Sequence, residues 1–249
     1  MDIKEYKIIS EVQEDHWWWL GRQKIIEDLI KIKIPLGHQL EIADVGCGYG
    51  ANIPMLKKYG HVTGLDTSNE AVDSIKKRWG SEVDAMVWQS PENIPKQFDF
   101  IILADVLEHI PDDKATVDWI FRHLNEGGYV LVTVPAHQFF WTQMDVVVHH
   151  CRRYSSRELI DLFKPPFKIT HFSFYNFILF PVKVGFLIFD RIKRRLQPKA
   201  ELRSYNDIPP TPVNWLFKRI LFLESPITKR FKIPFGISMV LLAQRPKNI

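Results

Sequence analysis

Apolar residues in this chain alternate between two periods. Glu41-Ile42-Ala43-Asp44-Val45 and His61-Val62-Thr63-Gly64-Leu65-Asp66, with the stretches 82–88, 99–103 and 129–134, are short and largely apolar. Runs of that length and make-up read as strands covered on both faces. Between them the spacing becomes helical. Positions 51–59 make a first crossover helix stopped by Gly60, and Thr67-Ser68-Asn69-Glu70 is a capping box for a second that runs to Trp79 and stops at Gly80. Pro111-Asp112-Asp113 opens a third, in which Val117, Ile120, Phe121 and Leu124 share a face, and Gly127-Gly128 turns the chain into the next strand. Ser155-Ser156-Arg157-Glu158 caps a further helix that Pro165-Pro166 ends. Positions 1–36 read as helical, with Ile25, Ile26, Leu29 and Ile30 on one side. Strand and helix in such alternation call for an α/β fold, a parallel sheet with helices on both faces.

The first strand ends in the densest signal of the chain, Asp44-Val45-Gly46-Cys47-Gly48-Tyr49-Gly50. Glycines at every second position let a ligand approach the backbone and permit positive φ. The spacing is not the G-x-G-x-x-G of dinucleotide sites, which disfavours a dehydrogenase. Asp66 ends the second strand 20 residues after Gly46, where a carboxylate accepts from both hydroxyls of a ribose. Together the turn and Asp66 point to an adenosine-bearing ligand.

These residues resemble the class I S-adenosylmethionine-dependent methyltransferases. The glycine turn is similar to their first motif and Asp66 to their ribose-binding acid. Phe98-Asp99-Phe100-Ile101-Ile102-Leu103-Ala104-Asp105-Val106-Leu107-Glu108-His109-Ile110 looks like their fourth-strand motif, and the stretch 124–135 like their fifth. The resemblance implies a Rossmann-like, seven-stranded, mostly parallel sheet, with 168–175 and 237–243 as its last two strands. It implies S-adenosylmethionine as cofactor and S-adenosylhomocysteine as product. The expected cofactor shell is Arg22, Asp44, Gly46, Cys47, Gly48, Gly50, Asp66, Thr67, Ser90, Pro91, Ala104, Asp105 and His109. Arg22 and the aromatic run Trp17-Trp18-Trp19 would belong to a lid, with Arg22 forked on the methionine carboxylate and Trp18 toward the substrate. One departure stands out. Ser90-Pro91 occupies the place of the family's adenine-binding acid and its neighbour, and Pro91 has no N–H to give. Ser90 would accept through its hydroxyl.

The loop after the fifth strand concentrates polar groups among aromatics: His137, Trp141, Asp145, then His150-Cys151-Arg152-Arg153-Tyr154. An H-x-R-R-Y element of this kind is similar to one in bacterial small-molecule and glycan- or lipid-associated methyltransferases. A hydroxyl must lose its proton as it attacks a methyl group, and histidine suits that work. His150 is the first candidate base, Asp145 its orienter and His137 the reserve. Arg152 and Arg153 would hold an acceptor carboxylate or phosphate, with Trp141 and Tyr154 beside it. The plainer alternative has the arginines pairing with acids of the body and the histidines capping turns. Glu108 and His109 are either helix-start residues or a substrate-side pair; one His beside one Glu is too little for a metal, and none is expected. Methylation of nitrogen or carbon, or a non-catalytic S-adenosylmethionine-binding regulator or scaffold, are the rival functions.

Composition adds the setting. Nearly half of the 249 residues are apolar, enough for one large domain. With Cys47 and Cys151 alone there is no disulfide framework, and the charged N-terminus lacks an apolar leader core; both fit the cytoplasm. Lys and Arg number 18 against 25 acids in residues 1–165, and 15 against 4 in residues 166–249. The basic part includes an insertion, 176–235, between the core segments 37–175 and 236–249. Its run from Phe177 to Phe189, followed by Arg191, Lys193, Arg194 and Arg195, is interrupted by Pro181 and Lys183, which makes a poor membrane span. It suits peripheral contact with the inner face of a membrane or a cap over an amphiphilic acceptor; a helical subdomain with homodimer contacts is the alternative. Nucleic acid is not an expected partner, because the basic residues alternate with apolar ones.

Overall fold

The computed structural model describes residues 11–196 and 208–247. Positions 1–10 of the expected N-terminal helix, 197–207 of the insertion and the side chains of Lys193 and Arg194 lie outside the described residues. Helix α1 (Trp17–Lys33) is followed by β1 (Leu40–Val45), α2 (Ile53–Leu56), β2 (Gly60–Asp66), α3 (Asn69–Trp79), β3 (Val83–Val87) and β4 (Phe98–Ala104). Then come α4 (Asp113–His123), β5 (Leu124–Pro135), α5 (Gln143–Val147), α6 (Ser156–Phe163), β6 (Lys168–Tyr175), α7 (Phe180–Leu196), α8 (Thr211–Thr228) and β7 (Ser238–Gln244). The seven strands form one sheet in the order β3-β2-β1-β4-β5-β7-β6. Pairing is parallel from β3 through β5; β7 runs antiparallel between β5 and β6.

Strand alternation sends successive side chains to opposite layers. Ile101 and Leu103 of β4 and Val130, Val132 and Val134 of β5 pack with Trp119, Ile120, Leu159 and Phe163 on one face. Phe100, Ile102 and Leu131 pack with Ile25, Ile26, Leu29 and Ile30 of α1 on the other. Both faces are covered, which is why these strands read as unbroken apolar runs.

Three local expectations need correction. The first crossover helix is a single turn, and Gly60 is the first residue of β2 instead of a helix stop: a side chain there would meet Leu40 O at 1.9 Å. Helix α3 is capped by Ser68, which accepts from Ala71 N at 3.2 Å, one residue later than the Thr67 box requires. The sequence also offers Pro209-Pro210-Thr211-Pro212 as its one linker-like stretch, but Thr211 and Pro212 open α8, a position where proline loses no helical hydrogen bond. The Ser155–Glu158 capping box is present as expected.

The insertion and the N-terminal helix form one structure. Asn214 of α8 accepts from Trp17 N at 2.8 Å and donates to Asp15 O at 2.9 Å, and Ser225 donates to Asp28 at 2.8 Å. Leu221 of α8 lies over Gly21 of α1 so closely that a Cβ there would stand 2.3 Å from it. Buried Glu224 accepts from Phe177 N and Ile178 N at 3.1 and 2.7 Å and so holds the entry to α7. The outer faces of α7 and α8 expose Phe189, Ile192, Trp215 and Leu223. No helix among the described residues is long and apolar enough to cross a membrane.

Candidate functional site

A cavity of about 580 Å³ lies over the carboxyl ends of β1, β4, β5 and β6. In open α/β sheets that is the ligand-binding edge, and the switch in strand order falls here between β1 and β4. The glycine turn forms its floor, α1 and α8 one wall, the loop after β5 another, and α7 the roof.

The three glycines of the turn have positive φ for different reasons. A side chain on Gly46 would strike Val106 at 2.5 Å and one on Gly50 would strike Trp79 at 2.7 Å, so both are demanded by packing. Gly48, at φ +51, has nothing within 4 Å of the place a Cβ would take: its open side is the cavity. Its N–H donates to Asp66 Oδ2 at 2.8 Å, and Ser68 N donates to Asp66 Oδ1 at 2.9 Å, so the carboxylate is fixed from both sides. Asp44 sits beneath the turn, held by Asn52 Nδ2 at 3.4 Å, with Oδ2 buried and unbonded. Burial raises its pKa to about 7 against the lowering effects of Asn52 and Arg22. Arg22 reaches in from α1 and donates to Asp105 Oδ2 at 2.6 Å and Ala104 O at 3.1 Å; its Nε is buried without a partner. Burial opposes the guanidinium charge, but Asp105 outweighs it and keeps the pKa above its ordinary range. An open glycine cradle with an orphaned carboxylate oxygen and an orphaned guanidinium N–H beside it fits a zwitterionic amino-acid end of a cofactor.

The loop after β5 supplies the opposite wall. Asp145 accepts from His150 Nδ1 at 2.8 Å and from Arg153 Nε and Nη2 at 2.7 and 3.1 Å. Burial works against its charge, yet His150 and Arg153 hold it well below the usual carboxylate range. Nε2 of His150 faces Glu108 Oε1 at 3.8 Å. Glu108 is fully buried with neither oxygen bonded, and burial, then Asp105, pushes its pKa well above the ordinary value. His109 packs edge-on against His150 at 4.6 Å, and burial lowers its pKa to about 4. Glu108, His109 and His150 bring one ligand atom each within 4.8 Å of one another. His150 was far off in sequence, so the pair expected to be too small for a cation is a triad in space.

Of the candidate site residues, Arg22, Gly46, Cys47, Gly48, Ala104, Asp105, His109, Trp18, His150 and Arg153 line the cavity, while Asp44 and Gly50 lie behind its lining. Asp66, exposed Thr67, Ser90 and Pro91 lie beyond it, and Ser90 Oγ is engaged by Thr116 Oγ1 at 2.5 Å, because the second turn of α4 comes alongside. His137 stacks on Phe174 with ring centroids 5.2 Å apart and is spent on packing. Arg152 and Tyr154, two apart on extended chain, both point to Asp113, at 2.5 and 2.9 Å, while Arg153 between them points into the cavity. Trp141 is half-buried outside the lining. Cys47 and Cys151 are both free. Sequence reasoning missed Asn52, Thr142, Met144, Val148, Lys183 and Phe217, all of which line the cavity. The capping box joining Thr142 and Asp145 was there to be read; the α7 and α8 contributions depend on long-range packing and carry no local signal.

Known proteins resemble this chain in both sequence and fold. The ubiquinone biosynthesis O-methyltransferase of Xylella fastidiosa strain 9a5c is 32% identical over 133 residues, covering 47% of this chain and 53% of that protein. This chain thus spans about half the length of that relative. The structure of the complex between the Haloferax volcanii Trm112 methyltransferase activator and its candidate methyltransferase superposes with a TM-score of 0.60 at 16% identity, over 96% of this chain and 93% of that one. The N-methyltransferase NodS of Bradyrhizobium japonicum, solved with S-adenosylhomocysteine, gives 0.52 at 14% identity, over 66% and 81%. Likeness at such identity concerns the fold. The family model for the methyltransferase domain matches residues 22–165, more than half the chain and the whole of the glycine turn, β4 and the His150 loop; the chain belongs to that methyltransferase family.

Proposed function

We propose that the chain transfers a methyl group from S-adenosylmethionine to a hydroxyl of a small anionic or amphiphilic acceptor, glycan- or lipid-linked hydroxyls included. The observation that carries the acceptor side is the Asp145–His150 pair in the cavity wall opposite the glycine turn. S-adenosylmethionine supplies an electrophilic methyl group on a sulfonium. Gly48 and Asn52 give its amino-acid end room, and Arg22 offers it a guanidinium whose Nε has no partner in the fold. Ionised Asp145 can only accept, so Nδ1 of His150 carries the hydrogen of that bond, and in the neutral ring the lone pair is then on Nε2. Nε2 takes the acceptor proton, and Asp145 stabilises the imidazolium that results. Burial, and after it Asp105, favours the neutral form of Glu108 beside that nitrogen. Alignment of hydroxyl and methyl group in the cavity supplies the larger share of the rate.

His150→Ala is expected to lower kcat by about 10²- to 10⁴-fold and to leave S-adenosylmethionine affinity, read by calorimetry, unchanged. Added imidazole should restore part of the rate. A variant that loses turnover and cofactor affinity in equal measure, with no rescue, would show His150 to be structural.

A further inference from the structure

Arg22, Arg153 and Lys183 are the lysine and arginine side chains that line the cavity among the described residues. Two are matched, Arg22 to Asp105 and Arg153 to Asp145. Lys183, in the first turn of α7, makes no ion pair or hydrogen bond through its ammonium among the described residues; Nζ lies over the Phe186 ring at 5.5 Å. The charges that act on it are Arg153, Asp145 and Asp190, the first two of which belong to the His150 wall of the cavity. The surrounding wall is apolar: Met144, Val148, Leu179, Val182 and Phe186. Burial, and after it Arg153, lowers the lysine pKa to about 8 against the raising effects of Asp145 and Asp190, so at neutral pH the side chain is a partly buried cation that has no ion-pair partner in direct contact among the described residues. A ligand anion would supply the direct partner that it lacks there.

We propose that Lys183 selects the acceptor by anchoring an anionic group, carboxylate or phosphate, on a hydroxyl-bearing molecule with an apolar body. The assignment rests on reading the cavity as the methyl-transfer site. It also moves a role within the chain. The arginines that the sequence offered for this purpose are committed elsewhere, Arg152 to Asp113 outside the cavity and Arg153 to Asp145. An anion at Lys183 would leave its apolar body against Met144 and Val148, next to Nε2 of His150.

The test needs no turnover. 1-Naphthoate and 1-naphthamide have nearly the same shape and differ in charge; their binding to the full chain is measured by calorimetry with and without saturating S-adenosylhomocysteine. Naphthoate should bind the wild type at least about tenfold tighter, the effect of one partly desolvated charge pair. Lys183→Met should bring the two affinities together with S-adenosylhomocysteine binding intact, and Lys183→Arg should keep most of the preference. Equal affinities in the wild type, no naphthoate binding at millimolar concentration, or an unchanged preference in Lys183→Met would overturn the assignment. A naphthoate preference without any binding of S-adenosylhomocysteine would keep Lys183 as an anion site and remove the methyl-transfer reading instead.

Discussion

Asp145 has no exposed side-chain surface and accepts from Thr142 N, Thr142 Oγ, His150 Nδ1, Arg153 Nε and Arg153 Nη2. Arg153 is itself buried, so Asp145→Asn leaves a guanidinium in the interior without its counter-charge. That should cost about 3–5 kcal/mol in urea unfolding at pH 7. The sign follows from the depressed carboxylate: its contribution is present above the unfolded value of about 3.9 and is lost as pH falls below it, so variant and parent should converge in strong acid. A loss under about 1 kcal/mol at pH 7 would mean that the pair contributes little. The same residue marks how far a sequence can be read. Asp145 and His150 are five apart on either side of one helical turn, and their pairing could be proposed from residue types and spacing. That Arg152 and Tyr154 turn toward Asp113 while Arg153 turns into the cavity depends on where the extended segment begins its alternation, and no residue type announces that. Ser90 and His137 meet the same limit, since each gives polar or aromatic surface to a neighbour brought in by the fold, which no spacing announces.

The elements that repeat, β1 through β5 with their crossovers, were legible because each strand is apolar on both faces and each helix on one. The roof was legible only as a helical insertion, and its docking was not, because its pattern mixes apolar and basic residues until α8 meets α1. Gly21 is the sign of that meeting. Gly21→Ala gains helix propensity of about 1 kcal/mol, but its Cβ would stand 2.7 Å from Leu221 Cβ, a clash that side-chain rotation cannot relieve. Overpacking of this kind costs about 1–3 kcal/mol, so a net loss of about 1 kcal/mol is expected. In a double-mutant cycle with Leu221→Ala the two losses should fall clearly short of additive, measured by denaturant midpoints. Strict additivity would mean that the helices do not touch there in solution.

Across the whole molecule, His16, His109 and His171 share a burial-driven pKa of about 4. His16, at the start of α1, and His109 both line the cavity, whereas His171 lies on β6. Their unfolded value is about 6.5, so between those limits each ring contributes stability that is lost as pH drops, against the opposite contribution of Asp44 and Glu108, whose carboxyl pKa values burial raises. Denaturant midpoints of the parent and of His171→Asn, measured from pH 7.5 to 4.5, should differ in slope, the variant gaining on the parent as pH falls, with cofactor binding unaltered. Parallel profiles would show the His171 ring to be protonated in the folded state.

The place of β7 has a consequence for synthesis. It pairs with β5 on one side and β6 on the other, yet it follows both in sequence by more than sixty residues. On the ribosome, β5 and β6 are therefore made and released while the strand that joins them is still untranslated. Each waits with a free edge, and such edges invite pairing with other chains. A nascent chain of this protein stays open to mispairing until its last strand arrives, so ribosome-bound intermediates ending before Ser238 should be the ones that chaperones hold.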